Sequence, residues 1–192
     1  RIQSHQTAFS HNIIFILADD VGWTDWQHDP VLNPTGSLVY ETPNLLQLAQ
    51  QSVIFKNAYA ACPVCSPTRA SIITGKSPGR TGLTNFVPGN PNTSATLREP
   101  ATWSRSIPPA SVTLADSMKA AGYSTGLFGK WHMGLGGGDL GSNPLQYGFD
   151  VNVGGNNFGG PETAGGWFAG SDGMWSGMPG LSTPGQYPAD KY

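Results

Sequence analysis

Cys65-Ser66-Pro67-Thr68-Arg69 sets a thiol two residues before a proline and four before an arginine. The chain continues Ala70-Ser71-Ile72-Ile73-Thr74-Gly75-Lys76, so the thiol opens a helix predicted from about Pro67 to Thr74. A nucleophile beside a fixed cation at a helix N-terminus suits an anionic substrate. Unpaired N–H groups and the helix dipole both attract negative charge there. Asp19-Asp20 is a second reactive set. Two adjacent carboxylates repel unless a cation neutralises them, and hard oxygen ligands suit Ca²⁺ or Mg²⁺ rather than zinc. In isolation the pair reads more simply as a solvated loop or a capping pair; its place after an apolar run favours metal. Lys130 and His132 form the third set. They share one face if on a strand, or converge on an anion from a loop. Lysine supplies fixed charge, and histidine exchanges a proton near neutral pH. Taken alone, an exposed lysine and a satisfied histidine is the plainer reading.

Other motifs compete for the same residues. Cys62-Pro63-Val64-Cys65 is a C-x-x-C sequence, open to a redox pair or half a zinc site. There is no second C-x-x-C, and His5, His11, His28 and His132 are remote from it in sequence, which disfavours zinc. The redox reading leaves Arg69, Asp19-Asp20 and Lys130/His132 without a role. Two ordinary buried cysteines remain a further alternative. Thr74-Gly75-Lys76-Ser77 lacks the glycine a P-loop needs where Ala70 stands. Gly136 to Gly141 fits G-x-G-x-x-G, but Ser142-Asn143-Pro144 opens no regular helix. Asn92-Thr93-Ser94 is a glycosylation sequon, relevant only to a eukaryotic secretory protein.

The elements that must carry these residues follow an α/β pattern. Asn12 to Ala18 is a continuous apolar run ending in Asp19-Asp20, as expected of a central parallel strand. Thr42-Pro43 reads as N-cap and first residue of a helix ending near Gln51. Val53 to Phe55 and Ala58 to Ala60 predict a short strand before the cysteine segment. Gly75 stops the cysteine helix. Residues 77–110 read as a long loop, and loops of that length are usually functional or mobile. Thr113 caps a helix through Ala121, with Asp116 at the capping-box position and Gly122 at the end. Tyr123 to Gly129 predicts another strand, running into Lys130-Trp131-His132. Beyond Gly134 the chain is Gly-rich and aromatic. The fold class is α/β, a mainly parallel sheet sandwiched by helices. In such sheets the carboxyl ends of the strands line the ligand crevice, where all three reactive sets fall.

Composition narrows the class. The 192 residues allow one ordinary domain, and a net charge of −2 with 11% charged residues offers no basic face for nucleic acid. The longest apolar run is far too short to span a membrane. The 26 glycines and 16 prolines imply many turns. Two cysteines three residues apart make no disulfide framework. A start at Arg1, with neither methionine nor signal peptide, fits a mature or trimmed product.

Together these segments resemble a type I sulfatase of the alkaline-phosphatase-like superfamily. Asn12 to Trp23 resembles the family's first strand and metal-binding aspartate pair. Glu41 to Leu45 resembles the segment before its first helix, and Cys65 to Lys76 its modification signature. Thr68 stands where serine is common and Lys76 where arginine is common. Ala120 to His132 resembles the lysine–histidine segment, and Gly148-Phe149-Asp150 also fits. The resemblance implies that Cys65 is oxidised to formylglycine, whose hydrate attacks sulfur, by a formylglycine-generating or other sulfatase-maturing enzyme. It implies that Asp19, Asp20 and the modified Cys65 hold Ca²⁺, with Mg²⁺ possible, and that Arg69 steadies the nucleophile. Lys130 and His132 would bind the sulfate, and His132 would assist its elimination. The implied reaction is hydrolysis of a sulfate ester in the periplasm or outside the cell, or in the lysosome of a eukaryote.

The family pattern also places a second metal-ligand pair, a histidine and a lysine downstream. No such segment follows Asp150, and no apolar strand precedes Asp172-Gly173. Residues 1–192 are therefore expected to be the N-terminal part of a single catalytic domain. A complementary C-terminal segment would complete it, and the isolated chain would show little activity. Loop-rich stretches 77–110 and 134–192 are expected near the substrate. Phe86, Arg98, Trp103, Arg105, Trp167, Phe168 and Trp175 suit sulfated carbohydrate rings, slightly preferred over aryl sulfates, and would equally suit surface packing. The alternatives are a phosphatase or phosphodiesterase of the same superfamily, disfavoured by cysteine at 65, and a non-catalytic anion-binding fragment.

Overall fold

The computed structural model describes residues 11–89, 103–135, 141–157 and 159. The chain divides into two units, Arg1–Ala58 and Tyr59–Tyr192.

In the first unit the apolar run after Asn12 is not assigned to a strand, and Ile14 and Ile16 are each 84% exposed. A strand requires a ladder partner, and none is assigned to this segment among the described residues. The predicted strand at 53–55 is absent for the same reason, with Val53 and Phe55 both exposed. A 3₁₀ turn, Trp23–Asp25, begins soon after the aspartate pair. Its entry is fixed by Asp25 Oδ2, which accepts from the Gly22 amide at 2.7 Å. Beyond it the chain is tied into a loop. Asp29 Oδ1 accepts from the Val31 and Leu32 amides, and the Leu32 contact leads in holding that carboxyl below its ordinary pKa range. Helix α1, Pro43–Gln50, begins with proline at its first turn as expected. Thr42 precedes it but does not cap it with its side chain. Its hydroxyl instead accepts from the Gln27 amide at 3.0 Å, and Gln27 Oε1 accepts from the Thr42 amide.

The second unit holds a core of Ala70, Leu83, Ile107, Trp131, Met133 and Tyr147. Helix α2, Cys65–Thr74, starts two residues earlier than the sequence suggests, so Pro67 occupies its third position. Proline is tolerated there because first-turn amides have no intrahelical acceptor. Gly75, at φ 65°, ends the helix in the left-handed conformation. Helix α3, Pro78–Thr81, is a single turn inside the stretch read as loop. Helix α4, Leu114–Ala120, carries the predicted capping box between Thr113 and Asp116. The Thr113 hydroxyl also donates to the Tyr147 carbonyl at 2.8 Å. Helix α2 packs against α3 and α4.

Strand β1, Gly126–Phe128, pairs in parallel with β2, Val151–Val153. The α/β class with parallel pairing is thus present, with β1 shorter than the predicted strand. Strand β2 had no sequence signal, because three residues show no period. The strand expected at Ala58 to Ala60 is not formed.

A latch holds the start of this sheet. Asp150 pairs with Lys119 Nζ at 2.7 Å and accepts from the Thr125 amide at 2.9 Å. Lys119 foremost, then the Thr125 amide, draws the Asp150 carboxyl below its ordinary pKa range. A carboxylate depressed on folding stabilises fully above its unfolded pKa, and the effect fades as pH falls through the lower folded value. The melting temperature of Asp150→Asn should therefore lie below wild type near pH 7. The gap should close as pH falls below about 4. A gap that persists unchanged in acid would refute the latch.

Candidate active site

Asp19 and Asp20 form an exposed turn in the first unit. Asp20 has φ 56°, in the left-handed region that few non-glycine residues occupy. Backbone strain of this kind gathers at functional sites. Among the described residues, no three His, Cys, Asp or Glu side chains cluster as a ready metal cage. The aspartate pair itself fits a hard cation. It offers oxygen donors alone, on a turn open to water, and Ca²⁺ and Mg²⁺ retain water in such places.

The remaining predicted site residues lie in the second unit. Cys65 is the first residue of α2, and its N-cap, Val64, has no side chain able to cap. The loop before it is fastened to the helix by Thr68, whose hydroxyl donates to the Cys62 carbonyl at 2.6 Å and accepts from the Cys62 amide at 3.1 Å. Neither cysteine forms a disulfide, and both are half-buried. The Cys62 contacts to Thr68 use only its backbone.

Arg69 is 9% exposed, and one guanidinium nitrogen donates to the Lys130 carbonyl at 2.6 Å. This bond ties the cysteine helix to the lysine–histidine segment. A buried guanidinium needs such acceptors, since an unmatched buried charge is costly.

Lys130 and His132 follow β1 rather than lie on it. They do not share a strand face: His132 has φ 60°, which turns the chain between them and Met133. Trp131 anchors this turn. Its ring is 1% exposed, lies 5.5 Å from Tyr147 and edge-on to Phe149, and its indole N–H donates to the Gly141 carbonyl at 2.9 Å. Burying a ring of this size is worth about 2–3 kcal/mol, so a core residue fixes its two polar neighbours. Lys130 is half-buried, whereas His132 is buried, with Nε2 2.6 Å from the Val87 carbonyl.

The expected substrate-facing residues divide. Trp103 packs against the core, with the Arg105 guanidinium 3.7 Å above its ring. Arg105 also donates to the Pro88 carbonyl. Phe86 is half-buried. Arg98, Trp167, Phe168, Trp175 and most of the 136–141 glycine run lie outside the described residues. Sequence reasoning missed Ser66 and Val87. Ser66 joins through its side-chain oxygen, but the Val87 amide and carbonyl that it and His132 meet are backbone groups, which carry no residue-type signal.

Three comparisons bear on this arrangement. The family model for sulfatases matches residues 11–176. The N-acetylgalactosamine-6-O-sulfatase of Bacteroides thetaiotaomicron is 38% identical over 152 residues, covering 76% of this chain and 26% of that protein. The steryl-sulfatase of Mus musculus is 37% identical over 142 residues, covering 72% and 21%. A structure solved in work on glycosaminoglycan metabolism by B. thetaiotaomicron superposes with a TM-score of 0.57 at 37% identity, covering 74% of this chain and 27% of that one. The chain belongs to the sulfatase family, with that family's alkaline-phosphatase-like α/β fold. It spans about a quarter of the length of these relatives. Among the described residues, no helix is long and apolar enough to cross a membrane.

Proposed function

We propose that this chain carries the nucleophile and one wall of the sulfate pocket of a sulfuric ester hydrolase. The observation that carries the reading is the tie between α2 and the Lys130 segment through Arg69, which sets Cys65 at a helix start within one bonded assembly. The family match across 11–176 supports assigning both units to a single catalytic domain. Stretches 77–110 and 134–192 would then border the substrate.

By the family pattern, Asp19, Asp20 and the modified Cys65 would hold Ca²⁺. The metal would lower the pKa of the nucleophilic oxygen and offset carboxylate repulsion. Oxidised to formylglycine by a maturing enzyme, Cys65 would supply the attacking oxygen as its hydrate, and the aldehyde would be restored when sulfate leaves. The other roles belong to side chains of this chain. The first-turn amides of α2 lack a side-chain cap and attract the anionic group. Arg69 supplies fixed positive charge beside the nucleophile. Lys130 neutralises charge growing on sulfate oxygens as the alcohol leaves. His132 accepts the hydrate proton as sulfate is expelled. The net change is ester plus water to alcohol plus sulfate.

The N-acetylgalactosamine-6-sulfatases among the relatives support a carbohydrate sulfate over an aryl sulfate, and with that reading goes work in the periplasm, the extracellular space or a lysosome. The test uses enzyme expressed from the complete reading frame together with a sulfatase-maturing enzyme. It is assayed on N-acetylgalactosamine 6-sulfate, an aryl sulfate, a steroid sulfate and an aryl phosphate. Release of sulfate from the sugar at the highest kcat/KM is expected. Turnover of the phosphate alone would overturn the reading in favour of a phosphatase.

A further inference from the structure

We propose that Ser66 is a positioning residue for His132, acting through residue Val87. The proposal rests on the assignment of His132 to the sulfate site. Ser66 is the unspecified residue between Cys65 and Pro67, and its side chain is fully buried. Its Oγ accepts from the Val87 amide at 3.0 Å. The Val87 carbonyl in turn lies 2.6 Å from His132 Nε2. A carbonyl only accepts, so Nε2 carries the proton, and a neutral ring then presents its lone pair at Nδ1. One buried residue is thus gripped at its amide by the start of the cysteine helix and at its carbonyl by the histidine.

His132 needs such a grip. Its φ of 60° is costly for a residue with a Cβ. Such conformations persist only where the surroundings over-determine them. The His132 amide donates to the Asn156 carbonyl at 2.8 Å, and Trp131 and Met133 on either side are buried. Gly159 lies against the ring, where an added Cβ would stand 2.5 Å from Nε2. The backbone and one ring face are thereby fixed. The Val87 carbonyl orients Nε2, and Ser66 fixes Val87. Val87 is 2% exposed, so no bulk water replaces a missing acceptor for its amide.

The test is Ser66→Ala in the matured enzyme from the complete reading frame, alone and with His132→Ala. Alone it should lower kcat about 10- to 100-fold, with KM within about threefold, as a displaced catalytic group does. In the His132→Ala background the same substitution should cost no further activity. An unchanged kcat in the single variant, or the same loss in both backgrounds, would overturn the proposal. A crystal structure of Ser66→Ala supplies a readout independent of turnover, and a shifted His132 ring is expected. Should Ser66→Ala not fold, a crystal structure of the unaltered enzyme decides. Both Val87 bonds within about 3.5 Å support the strut, and the loss of either overturns it. Failure of the sulfatase reading looks different: Cys65→Ala stays active while the His132 ring still moves in Ser66→Ala.

Discussion

Cys65→Ala in the matured enzyme is expected to abolish sulfate ester turnover, by at least about 10⁴-fold in kcat. The side chain at 65 would be the sole source of the attacking oxygen, and alanine offers no atom to oxidise. The fold should survive. Cys65 is half-buried at the first turn of α2, outside the core of Ala70, Leu83, Ile107, Trp131, Met133 and Tyr147. Alanine is also a good helix former. Binding of substrate should change far less than turnover, since the α2 amides, Arg69 and Lys130 remain. Cys62→Ala is the matched control. The Cys62 bonds to Thr68 are made by its backbone, so activity within a few-fold of wild type is expected. Equal losses from both substitutions would restore the redox reading of the C-x-x-C pair.

Removal of divalent metal should have the second largest effect. Dialysis against a chelator is expected to lower kcat by at least about 10²-fold, with recovery on adding Ca²⁺. The aspartate pair gives this prediction a second arm. Asp20 holds φ 56°, so Asp20→Gly relieves a strained backbone while deleting a carboxylate. The variant should melt at or above the temperature of metal-free wild type, yet show no stabilisation by Ca²⁺ and little activity. A chelated enzyme with full activity, or an Asp20→Gly variant that Ca²⁺ still stabilises as in wild type, would remove Asp20 from the metal site.

The local features of the chain were legible wherever one residue type governs one geometry. Gly75 ends α2 in the left-handed region, Thr113 and Asp116 form their capping box, and Pro43 opens α1. Legibility failed where a distant partner decides. Thr42 has the chemistry of a cap, but Gln27 captures its hydroxyl and amide. The run after Asn12 has the composition of a buried strand, but composition supplies no ladder partner. Strand β2 is visible only through its pairing with β1. At the candidate site, Cys65, Arg69, Lys130 and His132 announce themselves by type and spacing. What holds them together does not. The Lys130 carbonyl that receives Arg69 and the Val87 groups that join Ser66 to His132 are backbone atoms, the same in every sequence.

Trp103 is a side chain whose type alone leaves two readings open, surface packing and a substrate platform. An aromatic in a loop near arginines suggested a platform for a sugar ring. The indole instead packs on the core, with Arg105 above its face.

The central claim is that Cys65 is the precursor of the nucleophile rather than the nucleophile itself. The most direct measurement is the mass of the peptide bearing residue 65, taken from active enzyme made in a host with a sulfatase-maturing activity. Conversion to formylglycine replaces sulfur and hydrogens with one oxygen and lowers that mass by about 18 Da. The expected result is a peptide lighter by this amount, in a fraction that rises with specific activity. A fully active enzyme whose Cys65 remains an unmodified thiol would contradict the account.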